Sequence, residues 1–319
     1  MSGEPAQPQR LAITDHRVLV LTSTVILLVV GLTLGHQALP DLRLEASQGS
    51  DGIRGLTAPT SLRSIELDTV IELERTFQET DFDWPPGNTI PALAVKRFPK
   101  GIDELDVNAR KALFFRTLVP LIVAENSQLR YKRQQLLDIF ARGNLHADDP
   151  AYALATEIAT RYRVEGDLND ADVRAALLRR VDEIPASLAL AQAANESGWG
   201  TSRFVREANN IFGVWTWEED AGLVPEQRPE GETYLIRVFP DLQSSVRNYL
   251  LTLNIGAAYR QLRSIRADMR RNGNELNGLR LAEGLASYSE RGEDYVEEVR
   301  SMIRTNQLHE LDELTFGNH

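Results

Sequence analysis

The chain has 319 residues, a formal net charge of −11 and no cysteine. The acidic balance argues against nucleic acid as a partner, because a phosphate backbone is bound by clustered Lys and Arg. The absence of cysteine excludes a disulfide framework, a cysteine nucleophile and thiolate metal sites. The five histidines show no spacing typical of a metal site, so we expect neither a metal nor another cofactor.

Residues 18–35 are apolar and uncharged over a length near the lower limit of about 17 residues for a membrane-spanning helix. Arg10 and Arg17 precede this segment and the next basic residue is Arg43, a weak bias that leaves residues 1–17 in the cytoplasm. No clean small-residue cleavage site follows. We therefore predict a signal anchor in a bacterial inner membrane with the body of the protein in the periplasm, and a cleaved signal peptide is the alternative.

Residues 36–88 are rich in Ser, Gly, Asp, Thr and Pro, with one modest apolar patch at residues 65–73. This composition predicts a flexible periplasmic tether with at most one short helix.

Two amphipathic helices are predicted next. Apolar residues recur at three- and four-residue spacing over residues 106–142, and Pro120 should kink or divide that helix. Residues 170–181 form the second. We assign residues 89–145 to a helical extension, residues 146–306 to a catalytic domain and residues 307–319 to a C-terminal tail.

The most informative segment is residues 184–214, IPASLALAQAANESGWGTSRFVREANNIFGV. It predicts an almost wholly apolar, buried helix that ends at Ser197-Gly198 and carries one acid, Glu196, in its last turn. Desolvation raises the pKa of such an acid, which then stays protonated near neutral pH and can act as a general acid. The alternative is a solvated helix-end acid that pairs with Arg203 or Arg206.

Residues 218–239 leave the helical pattern. Alternating apolar residues at 233–239 predict a strand, one arm of a small hairpin that forms the cleft wall opposite Glu196. This lobe also holds the acids available as a second catalytic carboxylate: Glu218, Glu219, Asp220, Glu226, Glu230 and Glu232. Their separation from Glu196 would decide between retention and inversion at the anomeric carbon.

The segment AQAANESGWGTSRF followed by NNIFGVW resembles the glucosaminidase domain of bacterial peptidoglycan hydrolases, glycoside hydrolase family 73 of the lysozyme-like superfamily. Further pieces resemble the Bax-type proteins of Gram-negative bacteria: ALFFRTLVPLIVAEN, GLVPEQRPEG, SVRNYLLTLN, AAYRQLRSIR and GLASYSERGEDYV. Because these motifs are several and in order over residues 90–304, accidental similarity is excluded.

The resemblance implies a mainly α, lysozyme-like helical domain with a small β-hairpin lobe, placed after the N-terminal transmembrane helix. It also implies cleavage of the β-1,4 bond between N-acetylglucosamine and N-acetylmuramic acid in peptidoglycan glycan strands. Glu196 is the expected general acid, and Tyr259 is expected near it. We choose Glu230 as the second carboxylate because it lies in RPEG, the piece most similar to the Bax-type lobe. The substrate's own acetamido group is the alternative to a second carboxylate.

The remaining polar and aromatic candidates are expected to bind substrate. Tyr288 and Tyr295 are predicted at the far end of the cleft, Asn210 is predicted to bind an N-acetyl group, and the sugar-stacking candidates are Trp199, Phe212, Trp215 and Trp217. Two other functions remain open, a lytic transglycosylase and a non-catalytic wall-binding scaffold. An activating protein partner or a proteolytic step is a further possibility.

Overall fold

The structure is a computed structural model that describes residues 59–226, 228–229 and 231–317. It is mainly helical with small sheets. The helices are α1 (Val70–Glu79), α2 (Val107–Ala141), α3 (Pro150–Arg161), α4 (Ala171–Arg180), α5 (Ala186–Ser197), α6 (Arg203–Ala208), α7 (Leu242–Ile255), α8 (Arg260–Arg271), α9 (Gly278–Leu281) and α10 (Glu293–Thr305). The strands are β1 (Arg63–Ile65), β2 (Thr89–Ile90), β3 (Leu93–Val95), β4 (Trp215–Thr216), β5 (Gly222–Leu223), β6 (Leu235–Arg237) and β7 (Thr315–Phe316).

Helix α5 lies in the middle of the core. Ten of its twelve residues are buried, and the remaining two are Asn195 and Glu196. Its alanines allow close approach of neighbouring elements, and α2, α9, α10 and the turn at Leu308–Leu311 pack around it. The prediction of a buried helix that ends beside Glu196 is confirmed.

Helix α2 runs without interruption through Pro120. Of the two outcomes predicted for Pro120, division of the helix is wrong, and a kink stays a prediction. Proline removes one helical hydrogen bond and costs about 3 kcal/mol in a helix interior. Residues 113–126, which surround it, are all buried, and burial at roughly 1.5–3 kcal/mol for each large apolar side chain offsets that cost.

The short helix allowed for in the predicted tether over residues 36–88 is present as α1, but the part of this segment that the structure describes is packed on the folded body. Strand β1 pairs in parallel with β3, and Leu73 and Phe77 of α1 are fully buried. Trp84 stacks on Phe115 of α2 at a ring-centroid distance of 4.9 Å. Residues 59–88 are therefore part of the folded body, because their apolar face is covered by α2, a partner that the local pattern does not reveal.

The predicted C-terminal tail is also packed in its described part. Leu308, Leu311 and Leu314 are buried, and β7 pairs in parallel with β2. The Asp312 carboxylate accepts hydrogen bonds from the backbone N–H of Ser187 (2.8 Å) and from its hydroxyl (2.9 Å). It thereby caps the first turn of α5 from a distant part of the chain.

A three-stranded antiparallel sheet of order β4-β6-β5 forms the lobe after α6. Trp215 is opposite Ile236, and Gly222 is opposite Arg237. The predicted strand at residues 233–239 is present and is shorter, spanning Leu235–Arg237.

The predicted membrane helix at residues 18–35 lies outside the described residues. Within the part that the structure describes, no helix combines the length and apolar character needed to cross a membrane.

Candidate active site

Glu196 lies in the last turn of α5, where the helix is stopped by a run of left-handed backbone. Gly198, Trp199 and Gly200 have φ angles of 56°, 60° and 80°. The Ser197 hydroxyl donates to the Ala193 carbonyl and accepts from the Gly200 N–H, which fixes the turn after the acid. The carboxyl group is therefore held rigidly at the end of a buried helix.

The two carboxyl oxygens of Glu196 have different surroundings. Oε1 accepts a hydrogen bond from the Tyr295 hydroxyl at 2.7 Å. Oε2 is buried and has no hydrogen-bond partner among the described residues. In the described part of the chain, one oxygen of the carboxyl is therefore oriented by the protein and the other has no hydrogen-bond partner.

Burial raises the pKa of Glu196 to about 7. The Tyr295 hydrogen bond opposes that change because it stabilises the carboxylate, the negative charge of Glu298 adds to it, and the Arg291 guanidinium again opposes it. The acid therefore carries its proton over most of the range below pH 7, as general-acid catalysis requires.

The alternative in which Glu196 pairs with a neighbouring arginine does not occur. Arg203 pairs with Glu207 and Glu226, and Arg206 pairs with Asp103. No ion pair of Glu196 is present in the described part of the chain.

Four buried tyrosines surround the acid: Tyr249, Tyr259, Tyr288 and Tyr295. The Tyr288 ring lies 6.0 Å from that of Tyr259 and stacks on that of Tyr295 at 5.3 Å, measured between centroids. Burial and the charge of Glu196 raise the pKa of Tyr259 to about 12, and they raise the pKa of the other three as well. The hydroxyls are neutral donors at physiological pH.

Tyr295 contacts the acid directly and does not lie at the far end of the cleft from it. Tyr259 is the last residue of the turn at Ala257–Tyr259 before α8, and the charge of Glu196 adds to burial in raising the pKa of its phenol. The catalytic role of Tyr259 and the sugar-binding roles of Tyr288 and Tyr295 stay predictions.

The aromatic candidates divide by exposure. Trp199 packs edge-on against Phe114 and Phe115, with Lys111 Nζ above its ring. Phe212 is buried and stacks on Tyr249 at 4.0 Å. These contacts give both rings a packing role.

In the lobe, by contrast, Trp217 is 57% exposed and Trp215 stacks on Tyr234 at 4.4 Å. Trp217 therefore has an open surface on which a sugar ring can stack.

The Asn210 side chain forms its hydrogen bonds within the protein. Its side-chain nitrogen donates to the carbonyls of Val214 and Arg237, and its side-chain oxygen accepts from the Val214 N–H. The amide ties the turn after α6 to β6. Its predicted contact with an N-acetyl group stays a prediction and would compete with these bonds.

Glu230, the predicted second carboxylate, lies outside the described residues. The other five acids of the lobe are exposed. One of them, Glu226, pairs with Arg203. The described residues contain no group of three or more His, Asp or Glu side chains placed to hold a metal ion.

Sequence reasoning missed Gln192, Glu298 and the role of Tyr249. Gln192 is fully buried one turn before Glu196 and bonds to both Tyr249 and Tyr295. A lone amide among alanines and leucines on the same helix face as the acid was the available signal, because a buried amide requires partners. Glu298 lies one turn after Tyr295 on α10 and pairs with Arg291 at 2.8 Å.

Comparison with known proteins covers the region of the chain that holds this site. Residues 174–308, which include Glu196, Tyr259 and Tyr295, match the family model described as glucosaminidase, mannosyl-glycoprotein endo-beta-N-acetylglucosaminidase. The class defined by this match is a glycosidase.

Among curated proteins, the chain is 30% identical over 231 residues to protein Bax of Escherichia coli K12, covering 72% of this chain and 79% of that protein. The chain belongs to the Bax-type glucosaminidase-domain proteins. A solved structure, the catalytic domain of the autolysin Auto from Listeria monocytogenes, matches at 16% identity over 56% of this chain and 97% of its own. Its TM-score is 0.30, too low to carry an argument.

Proposed function

We propose that the protein is an endo-β-N-acetylglucosaminidase of peptidoglycan with a lysozyme-like catalytic domain, in which Glu196 is the general acid. The observation that carries the proposal is the Glu196 carboxyl itself. It is buried at a helix end, oriented through Oε1 by Tyr295, protonated near neutral pH, and free of protein partners at Oε2.

In the proposed reaction, Glu196 Oε2 donates its proton to the glycosidic oxygen on the leaving side of N-acetylglucosamine. The bond from the anomeric carbon to that oxygen breaks, and the electron pair stays with the departing sugar. The oxocarbenium-like centre is then attacked by water, and a base takes the water proton. Glu230 is our candidate for that base. In the alternative, the oxygen of the substrate's own 2-acetamido group bonds to the anomeric carbon as the leaving oxygen departs, and water then displaces it and gives its proton to the Glu196 carboxylate.

The neutral tyrosines suit this chemistry. A phenol that donates a hydrogen bond stabilises negative charge on Glu196 as the proton leaves, which lowers the barrier to transfer. We assign Tyr259 to the same cluster because its ring lies 6.0 Å from that of Tyr288, which stacks on the ring of Tyr295. Trp217 is the candidate stacking platform with the most open surface.

Peptidoglycan as the substrate follows from membership of the Bax-type family together with the resemblance of the chain to wall hydrolases. We also propose that residues 18–35 anchor the chain in the inner membrane and that the catalytic domain works in the periplasm.

The test is mass spectrometry of purified peptidoglycan after digestion by the full chain, with Glu196→Gln in parallel. We expect fragments with reducing N-acetylglucosamine ends, absent from the mutant digest. Fragments with 1,6-anhydromuramic ends would assign the protein to the lytic transglycosylases. Binding of the wall by both proteins without any cleavage, also after addition of periplasmic extract as a source of activator, would assign it to the scaffolds.

A further inference from the structure

We propose that Gln192 is a positioning residue that sets the direction of a hydrogen-bond chain ending at Glu196, so that the acid carries its proton on Oε2. The inference rests on the proposed function of Glu196 as a general acid. The chain runs from α7 through α5 to α10. The Tyr249 hydroxyl donates to Gln192 Oε1 at 2.6 Å, Gln192 Nε2 donates to the Tyr295 hydroxyl at 2.9 Å, and that hydroxyl donates to Glu196 Oε1 at 2.7 Å.

The direction of the chain follows from the chemistry of the amide. An amide oxygen only accepts hydrogen bonds and an amide nitrogen only donates them. The 2.6 Å contact has the length of an O–H···O bond, and the 2.9 Å contact has the length of an N–H···O bond, so the oxygen of Gln192 faces Tyr249 and its nitrogen faces Tyr295.

Tyr249 holds the amide in this orientation. If Gln192 turned over, its nitrogen would face Tyr249, and the buried Tyr249 hydroxyl would lose the one acceptor that the described residues give it. A buried hydroxyl hydrogen without an acceptor is strongly disfavoured, because nothing replaces the hydrogen bond that it makes to water in the unfolded chain. The orientation with oxygen toward Tyr249 is therefore favoured.

The direction of the chain determines which of the two carboxyl oxygens of Glu196 carries the proton. The Tyr295 oxygen receives the Gln192 N–H, so the single hydroxyl hydrogen of Tyr295 is directed at Glu196 Oε1. An oxygen that accepts this hydrogen is the carbonyl oxygen of the protonated acid. The transferable proton is therefore on Oε2, the oxygen without a protein partner.

Other groups also affect this acid, and the test has to separate them. The titratable and charged groups that face Glu196 are Tyr295 and Glu298 on α10, Arg291 in the turn before it, Tyr249 on α7, Tyr259 before α8, and Tyr288. Of the variants used below, only Tyr249→Phe and Tyr295→Phe remove one of these groups, and Gln192→Met leaves all of them in place.

The experiment is infrared difference spectroscopy of the protonated carboxyl on the full chain, using wild type minus Glu196→Gln at pH 5.5. At this pH Glu196 is protonated and exposed carboxyls are ionised. Asp312, whose pKa burial raises to about 6, also carries a proton but is present in both proteins and cancels. We expect one C=O band for Glu196, at the lower frequency of a hydrogen-bonded carbonyl.

The variants are Gln192→Met, Tyr249→Phe and Tyr295→Phe. In the first two, the Tyr295 hydroxyl is no longer forced toward Oε1, so part of the population moves its proton to Oε1 and a second C=O band appears at higher frequency. Tyr295→Phe shows only the higher band. Tyr162→Phe is the matched control, because it removes a phenol hydroxyl from a buried ring at the C-terminal cap of α3 that is not part of the hydrogen-bond chain, and it leaves the single band unchanged.

The kinetic readout is the pH profile of kcat. When the Tyr295 hydroxyl no longer points at Oε1, the carboxylate of Glu196 loses a hydrogen bond and the protonated acid is favoured. The alkaline limb of the kcat profile therefore moves to higher pH in Gln192→Met and Tyr249→Phe, by less than in Tyr295→Phe. We expect kcat at the optimum to fall by about twofold if about half of the population holds the proton on the wrong oxygen, in proportion to the intensity of the second band.

The proposal would be overturned if Gln192→Met and Tyr249→Phe each showed one C=O band at the wild-type frequency and the wild-type pH profile. Gln192 would then have only a packing role. Tyr249→Phe removes one atom, so the test does not depend on the fold tolerating the methionine. The infrared result needs no substrate. If the wild type cleaves no glycan and the variants still show the second band, the proposed function fails and the positioning role stands.

Discussion

At the residue scale, Glu196 shows what a buried acid does to both activity and stability. Its surroundings disfavour the carboxylate, since burial raises its pKa to about 7 and the described residues supply a hydrogen-bond donor to only one of its oxygens. The same desolvation that keeps the proton available for a leaving oxygen makes the ionised folded state less stable.

The first prediction concerns the pH dependence of activity. A general acid must be protonated in the free enzyme, so kcat/KM should be constant below pH 7 as far as Glu196 is concerned and should fall about tenfold for each pH unit well above 7. The measurement is kcat/KM on solubilised glycan strands from pH 5 to 9. An alkaline limb centred below pH 5.5 would contradict the protonation state proposed for Glu196.

The second prediction concerns stability. The pKa of Glu196 is higher in the folded protein than its ordinary value of 4.5, so the folded state loses stability relative to the unfolded state as pH rises from about 4.5 to 7. Glu196→Gln removes the ionisation and should be more stable than wild type at pH 8, by up to about 3 kcal/mol at about 1.4 kcal/mol per pH unit.

Urea denaturation at pH 8 and at pH 4 measures this difference. The gain should vanish at pH 4, where both proteins are uncharged at this position. Glu79→Gln, which removes an exposed acid from the end of α1, is the control and should show no pH-dependent gain.

At the element scale, α5 depends on partners at both of its ends. Its C-terminal end is fixed by the left-handed turn after Ser197. At its N-terminal end Pro185 offers no side-chain cap, and the first-turn N–H of Ser187 is bound by Asp312, 125 residues away in the chain. The helix that carries the acid is thus anchored by the C-terminal segment.

The third prediction follows from that cap. Asp312→Ala leaves the Ser187 N–H and hydroxyl without their acceptor and should destabilise the protein by about 1–2 kcal/mol, the usual value of a lost helix cap. Asp312→Asn keeps one acceptor oxygen and should cost less. Thermal unfolding of the two variants at pH 7 checks the order, and equal losses would mean that Asp312 acts through its charge or its packing and not as a cap.

At the scale of the whole molecule, the first and last described segments complete the core. Strand β2 pairs with β7, and α1 places Leu73 and Phe77 against the body. Arg116 of α2, which is nearly buried, donates to both carboxylate oxygens of Glu74 on α1 at 2.6 and 2.7 Å. Residues 59–88 therefore supply both apolar cover and the counter-charge of a buried arginine.

The fourth prediction concerns the effect of removing residues 59–88 on stability. A chain that begins at residue 89 loses several large buried side chains, each worth roughly 1.5–3 kcal/mol, and leaves Arg116 without its carboxylate. We expect its Tm to fall by about 10 °C or more relative to a chain that begins at residue 59. Differential scanning calorimetry of the two chains makes the comparison. Equal Tm values would mean that residues 59–88 are a tether after all.

Much of the helical architecture was predictable because it is written in local patterns. Helices α2 and α4 and the end of α5 were all predicted within a few residues. Helical periodicity and helix capping depend on residues three or four positions apart, and such residues can be read directly from the sequence. The uninterrupted course of α2 through Pro120 was missed because it depends on burial by distant elements.

The sequence by itself determined that one acid, Glu196, ends a buried helix, since the apolar run and the glycines that stop it are adjacent in the chain. Only the tertiary structure decided what surrounds that acid. Gln192, Tyr249 and Tyr295 lie on three different helices and form a hydrogen-bond chain that ends at its carboxyl. Asp312, near the C-terminus, caps α5. The reason is physical: desolvation and hydrogen-bond direction depend on atoms within a few ångströms in space, and for this acid most of those atoms come from 50 to 100 residues further along the chain.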